Sequence, residues 1–263
     1  MSLSVLSEIL VCILAGAGAG IGTGFAGLSA AVFITPMLVA FLQAPVYEAV
    51  GVALASDVLA SAVSAWTYGR KGNIDLKHGR PLLISVILFA IIGSLVAFFI
   101  TSFSAGDTVL GYWSIVASVL LGITFLLPKK EKPQKPVQKT KRLLLTILAS
   151  GAYVGFVCGF QGTGGGMMML FVLTTVMVFE FKHAVGTSVF IMTFTALIGA
   201  VTHFIINGMP NLSMLCICVL STLFFARVSA VLANRLSTRA LRMITGLLLT
   251  ISGIIMLLTK LFL

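Results

Sequence analysis

Charge is scarce in this sequence. Only 9% of its 263 residues are charged, and seven of those are acidic. A soluble domain of ordinary composition carries about 25% charged residues. Too few charges are present to coat a surface in water, so a soluble enzyme, a disordered chain and a nucleic-acid-binding domain are all poor readings. Acid–base chemistry is also thinly supplied, because the seven acids and three histidines form no recognisable dyad. Cysteine is sparse as well. Cys12, Cys158, Cys216 and Cys218 all lie in apolar stretches, and Cys216-Ile-Cys218 lacks the spacing of a metal or redox pair. No cluster of His, Cys and acidic residues has metal-ligand spacing, so neither a metal nor a cofactor is expected. The first apolar run has no basic segment before it and exceeds the length of a signal peptide, so it is not expected to be cleaved.

What the chain has in abundance is apolar length. Residues of the AVILMFWYC set make up 59% of it. A membrane-spanning helix needs about 20 apolar residues, so the chain can supply roughly eight to ten. The apolar runs are 5-45, 47-68, 81-103, 109-127, 143-179, 184-206, 212-233 and 240-263. Two of them, 5-45 and 143-179, have twice the length of one crossing, with glycine clusters inside. Each is expected to be two helices broken at glycines, since glycine permits turns and weakens helices.

The halves match each other at an offset of 135 residues. Gly20, Gly24, Phe25 and Gly27 fall on Gly155, Gly159, Phe160 and Gly162, and Ala49-Val50-Gly51 falls on Ala184-Val185-Gly186. This predicts a first transmembrane repeat over 1-127, a basic linker over 128-142 and a second repeat over 143-263. The 17 cations concentrate in three places: seven in 129-142, four in 70-80 and three in 235-242. Clustered loop cations face the cytoplasm. With the linker inside, the loop 69-80 is inside and its counterpart 207-211 is outside. The expected fold is therefore an all-α polytopic membrane protein with two inverted-topology repeats of about five membrane segments each and both termini outside. Such repeats with interrupted helices are a transporter signature, and substrate sites lie where the broken helices meet.

The second glycine turn contains Gln161, Gly162, Thr163, Gly164, Gly165 and Gly166. The first contains Thr23, Gly24, Gly27 and Ser29. An apolar helix follows each. The first turn of a helix has unpaired N–H groups and the positive end of the macrodipole, so it can hold an oxyanion without a lysine. These ten residues are the candidate binding set for a small anion. Glycines at four-residue spacing, such as Gly20/Gly24 and Gly155/Gly159, also serve close helix packing. Asp57 and Arg227 lie inside apolar runs and are candidates for coupling or gating, as are Thr187 and Ser188. Asp57 could bind a coupling proton, or sit in an ion pair or act as a hydrogen-bonded strut. Arg227 could hold the anion or snorkel to the interface.

The stretch 155-170, GFVCGFQGTGGGMMML, resembles the signature of the sulfite exporter TauE/SafE family, also called the toluene-sulfonate uptake permease group. HAVGTSVF at 183-190 and ARVSAVLANRLSTRALR at 226-242 are similar to segments of the same family. The first half departs from it, with Ser29-Ala30-Ala31 where the triple glycine usually recurs. The resemblance implies a multi-pass carrier of the bacterial inner membrane. It would move small anions, typically sulfur oxyanions or organosulfonates such as sulfite or sulfoacetate, most often outward. The partners implied are that anion and the lipid bilayer, with no nucleic acid; a homodimer is left open. A passive anion channel or an accessory subunit is the alternative, and a membrane-embedded enzyme is a more remote one.

Overall fold

The computed structural model describes residues 3–99, 119–120, 122–127, 141–161 and 165–262. The loop at 104–108, most of the linker at 128–142, and Gly162, Thr163 and Gly164 lie outside them. The described residues form nine helices in chain order, beside a helical stretch at 122–126: α1 (Leu3–Ala26), α2 (Ala31–Leu42), α3 (Val46–Arg70), α4 (Leu76–Phe99), α5 (Lys141–Gln161), α6 (Gly166–Thr175), α7 (Phe181–Asn207), α8 (Leu212–Arg235) and α9 (Thr238–Phe262). Seven of them are long and apolar enough to cross a membrane. The protein is thus all-α and polytopic. Its outward face is apolar, with Leu14, Leu88, Leu145, Ile205, Leu220 and Phe224 all exposed, as lipid contact requires.

Both doubled runs are broken, and the return element in each is short. Helices α2 and α6 have 12 and 10 residues, about 18 and 15 Å at 1.5 Å per residue. The hydrocarbon core is about 30 Å thick, so these helices cover only part of it, where hydropathy alone suggested full crossings. What shortens them is backbone geometry. Gln43 ends α2 in the left-handed region (φ 52), and Pro45 then caps α3. Proline cannot continue a preceding helix. The second half repeats the turn without the proline: Val178, 135 residues on, is also left-handed (φ 54), ahead of Glu180 at the start of α7.

The glycine spacing sets the helix pairing. Gly16, Gly20 and Gly24 lie inside α1 and face α8. A Cβ on Gly20 would sit 2.5 Å from the Thr222 carbonyl oxygen, and one on Gly24 would sit 2.5 Å from Ser229 Cβ. Gly151, Gly155 and Gly159 of α5 face Ser85, Val86 and Ala90 of α4 in the same manner. Within each pair the residue numbers rise together, so α1 runs parallel to α8 and α4 parallel to α5. Helices α3 and α7 cross the other way. Gly51 meets His203, and Gly186 meets Tyr68, so these two run antiparallel. Close backbone approach at small residues is what holds apolar helices together in lipid, where no hydrophobic drive exists between them. Gly24→Ala and Gly159→Ala are each expected to lower stability by about 1–3 kcal/mol, the cost of overpacking a filled interface. Thermal melting of the purified protein in detergent checks this; an unchanged melting temperature for either would contradict the packing.

Candidate functional site

The two breaks meet inside the bundle. Helix α1 ends at Gly27, whose positive φ (64) lets its N–H reach the Thr23 carbonyl (2.9 Å) while the Leu28 N–H reaches Gly22 (3.2 Å). The first of these is the single bond of a left-handed glycine helix stop. The last carbonyls of α1 are satisfied from other helices: the Tyr68 hydroxyl donates to Gly24 (3.0 Å) and the Thr245 hydroxyl to Phe25 (3.2 Å). The turn then presses on the second half. A Cβ on Gly166 would collide with the Gly27 carbonyl oxygen and sit 2.6 Å from Met192 Sδ, and a Cβ on Gly27 would sit 2.8 Å from Ser188 Oγ. Gly27, Gly166, Ser188 and Met192 therefore converge on one point, from three separate parts of the chain: the α1–α2 turn, the start of α6 and one face of α7.

The two breaks differ in what their new helices find at their starts. At the first, the carboxyl of Asp57 on α3 accepts hydrogen bonds from the Ser29 hydroxyl and from the Ala30 N–H (2.5 Å). Asp57 is fully buried, and its carboxyl anchors the start of α2 through these two bonds. At the second, Gly165 is the N-cap of α6 in the left-handed region (φ 64), and no side chain among the described residues caps it. The offset of 135 maps Asp57 onto Met192 and Ala31 onto Gly166. Met192 thus stands in the second half where a carboxylate stands in the first.

Of the residues singled out in the sequence, Thr23 is fully buried and its hydroxyl is within bonding distance of the Ala19 and Leu28 carbonyls (2.9 and 2.8 Å). Gly24 lies in the α1–α8 contact, and Ser29 is held by Asp57. Gly27, Gly165 and Gly166 are at the junction. Gln161 ends α5; Gly162, Thr163 and Gly164 are outside the described residues. Ser188 donates to the Val185 carbonyl (2.8 Å), beside Gly27. Thr187 is elsewhere: its hydroxyl accepts from the Asp75 N–H (3.1 Å) and ties α7 to the α3–α4 loop. Arg227 is exposed on α8, away from the junction. Met192 was missed, and the signal for it was available, since it is the partner of Asp57 at the repeat offset.

Comparison with known proteins places this architecture. The family described as Sulfite exporter TauE/SafE matches residues 12–256. The protein named "Probable membrane transporter protein YdhB" of Bacillus subtilis (strain 168) is 27% identical over 240 residues, covering 90% of this chain and 96% of the relative. "Probable membrane transporter protein YunE" of the same strain is 24% identical over 251 residues, covering 89% of each. No solved structure matches significantly.

Proposed function

This chain belongs to the sulfite exporter TauE/SafE family, and on that premise we propose that it is a secondary transporter that exports small anions across the bacterial inner membrane. The cargo is a sulfur oxyanion or organosulfonate, such as sulfite or sulfoacetate, and the cycle is alternating access. The observation that carries the proposal is the junction of the two breaks. There Gly27 abuts Gly166, and the start of α6 has no side-chain cap among the described residues. An anion can supply the missing negative group, held by the N–H groups that begin α6. The hydroxyl and amide of Thr163 and Gln161, with Gly162 and Gly164, complete the turn in this proposal.

The halves are proposed to be inverted repeats, with the basic linker and the α3–α4 loop cytoplasmic and both termini outside. The antiparallel crossing of α3 and α7, which correspond at the offset of 135, supports this. So does the reciprocal pairing of α1 with α8 and of α5 with α4. Rocking one such half against the other around a fixed junction is how inverted-repeat carriers expose a site alternately.

The experiment is a ligand screen on the purified full chain by thermal shift, with sulfite, sulfate, thiosulfate, short sulfonates and carboxylates. A sulfur oxyanion or sulfonate at 100 times its dissociation constant is expected to stabilise the fold by about 2.7 kcal/mol. If none of these anions raises the melting temperature, the proposed cargo class is wrong.

A further inference from the structure

Helix α3 carries polar groups that the anion site leaves unused, and they lie in one file. Asp57, Ser61, Ser64 and Tyr68 recur at spacings of four, three and four residues, which places them on one helix face. All four are 0% exposed. Asp57 holds the start of α2, Ser61 donates to the Asp57 main-chain carbonyl (2.5 Å), and Tyr68 donates to Gly24. Between them, the Ser64 hydroxyl has no hydrogen-bond partner among the described residues. A buried hydroxyl left unpaired is costly, and internal water is the usual partner of such a group.

Among the described residues, no cation forms an ion pair with Asp57. The ion pairs among the described residues are His78–Asp75 and His183–Glu180. Of the elements packed against this face of α3, α2 has no titratable side chain, and α1 has Glu8 and Cys12. Helix α7 has Lys182, His183 and His203, and α8 has Cys216, Cys218, Arg227 and Arg235. None of these bonds to the carboxyl, whose hydrogen bonds come from the Ser29 hydroxyl and the Ala30 N–H. A lone carboxyl inside the membrane is costly as an anion and is typical of proton-relay positions. Both of its oxygens face hydrogen-bond donors rather than the carbonyls that would surround a metal cation.

We infer that Asp57 is a proton-binding site, and that Ser61, Ser64 and Tyr68 mark a hydrated route by which protons reach it from the α3–α4 loop. A hydronium ion gives up its proton to the carboxylate, so an O–H bond of the hydronium breaks, one forms on Asp57, water is released and the carboxyl becomes neutral. That O–H can donate to Ser29 Oγ, reversing the bond between them, while the bond from the Ala30 N–H loses its ionic strength. The start of α2 is then held less tightly, so the protonation state of Asp57 biases the position of one of the two helices at the junction. Its use in driving transport rests on the function proposed above, but the proton site itself does not.

Two measurements test it. Infrared difference spectra of the purified full chain across pH are expected to contain a titrating carboxylic-acid carbonyl band that Asp57→Asn removes. Identical spectra for the two proteins overturn the site. In proteoliposomes, the readout is sulfite flux driven by an imposed pH gradient divided by flux at equal pH. Asp57→Asn is expected to bring that ratio to about one, since a general loss of structure lowers both fluxes together and leaves the ratio unchanged. Ser64→Ala removes an unpartnered hydroxyl and is expected to fold; it should lower the ratio several-fold, and it decides the matter if Asp57→Asn fails to insert. A wild-type ratio already near one, or a response to a sodium gradient instead, overturns the use of this site in driving transport. If the wild type moves no sulfite at all, the proposed cargo falls, and the infrared titration still decides the proton site.

Discussion

Gly166→Val is expected to abolish anion flux while leaving the protein inserted in the membrane. The reason is local. Any side chain at 166 runs into the Gly27 carbonyl oxygen and presses on Met192 Sδ. The first turn and the start of α6 must then move apart, and both belong to the junction where the anion is proposed to sit. A displacement of about 1 Å at a positioning group can cost roughly 100-fold in rate, and a valine displaces more than that. The long-helix pairs α1–α8 and α4–α5 do not include residue 166, so insertion and the bulk of the bundle should survive. Sulfite flux in proteoliposomes, with membrane yield measured in parallel, checks this. Wild-type flux in a well-inserted Gly166→Val protein would separate the junction from transport.

Met192→Asp should have an effect of similar size by a different route. In the first half, a carboxylate at the corresponding position accepts from the Ser29 hydroxyl and the Ala30 N–H. Introducing one at 192, next to Gly166, places a tethered anion at the start of α6. It would compete with free anion for the same N–H groups at a very high effective concentration. The variant is therefore expected to lose the sulfite-induced thermal shift and the flux together. Its melting temperature without ligand should hold or rise, since capping a helix is worth about 0.5–2 kcal/mol. That combination sets it apart from a simple packing defect, which would lower the melting temperature. Unchanged sulfite affinity in Met192→Asp would place the anion elsewhere.

Much of this architecture was legible in the sequence, because lipid makes hydropathy a direct measure of helix placement. The doubled runs did break, at Gly27–Ala30 and ahead of Gly166. The offset of 135 seen in Gly24/Gly159 and Gly51/Gly186 recurs in the helix ends, from Ala26 and Gln161 to Val46 and Phe181. Other features depended on contacts that no local pattern encodes. Glycine both breaks helices and packs them. The packing role read from Gly20/Gly24 extends along the whole stretch: the glycines from 16 to 24 all lie within α1, with Gly16, Gly20 and Gly24 against α8 and Gly18 and Gly22 against Phe33. Their spacing of four was the sign of packing, and the positive φ fell to Gly27 instead. The length of α2 was hidden because Gln43 bends the backbone without interrupting the apolar run. The strut reading of Asp57 named no partners, since Ser29 and Ala30 lie nearly thirty residues away.

The most direct test of a carrier built around that junction is the time course of labelled sulfite entering proteoliposomes preloaded with unlabelled sulfite. A site that faces one side at a time exchanges label for cargo, so uptake should overshoot its final level and then decline. A steady rise without overshoot would mean an open pore, and uptake no greater than in protein-free vesicles would mean that sulfite is not carried.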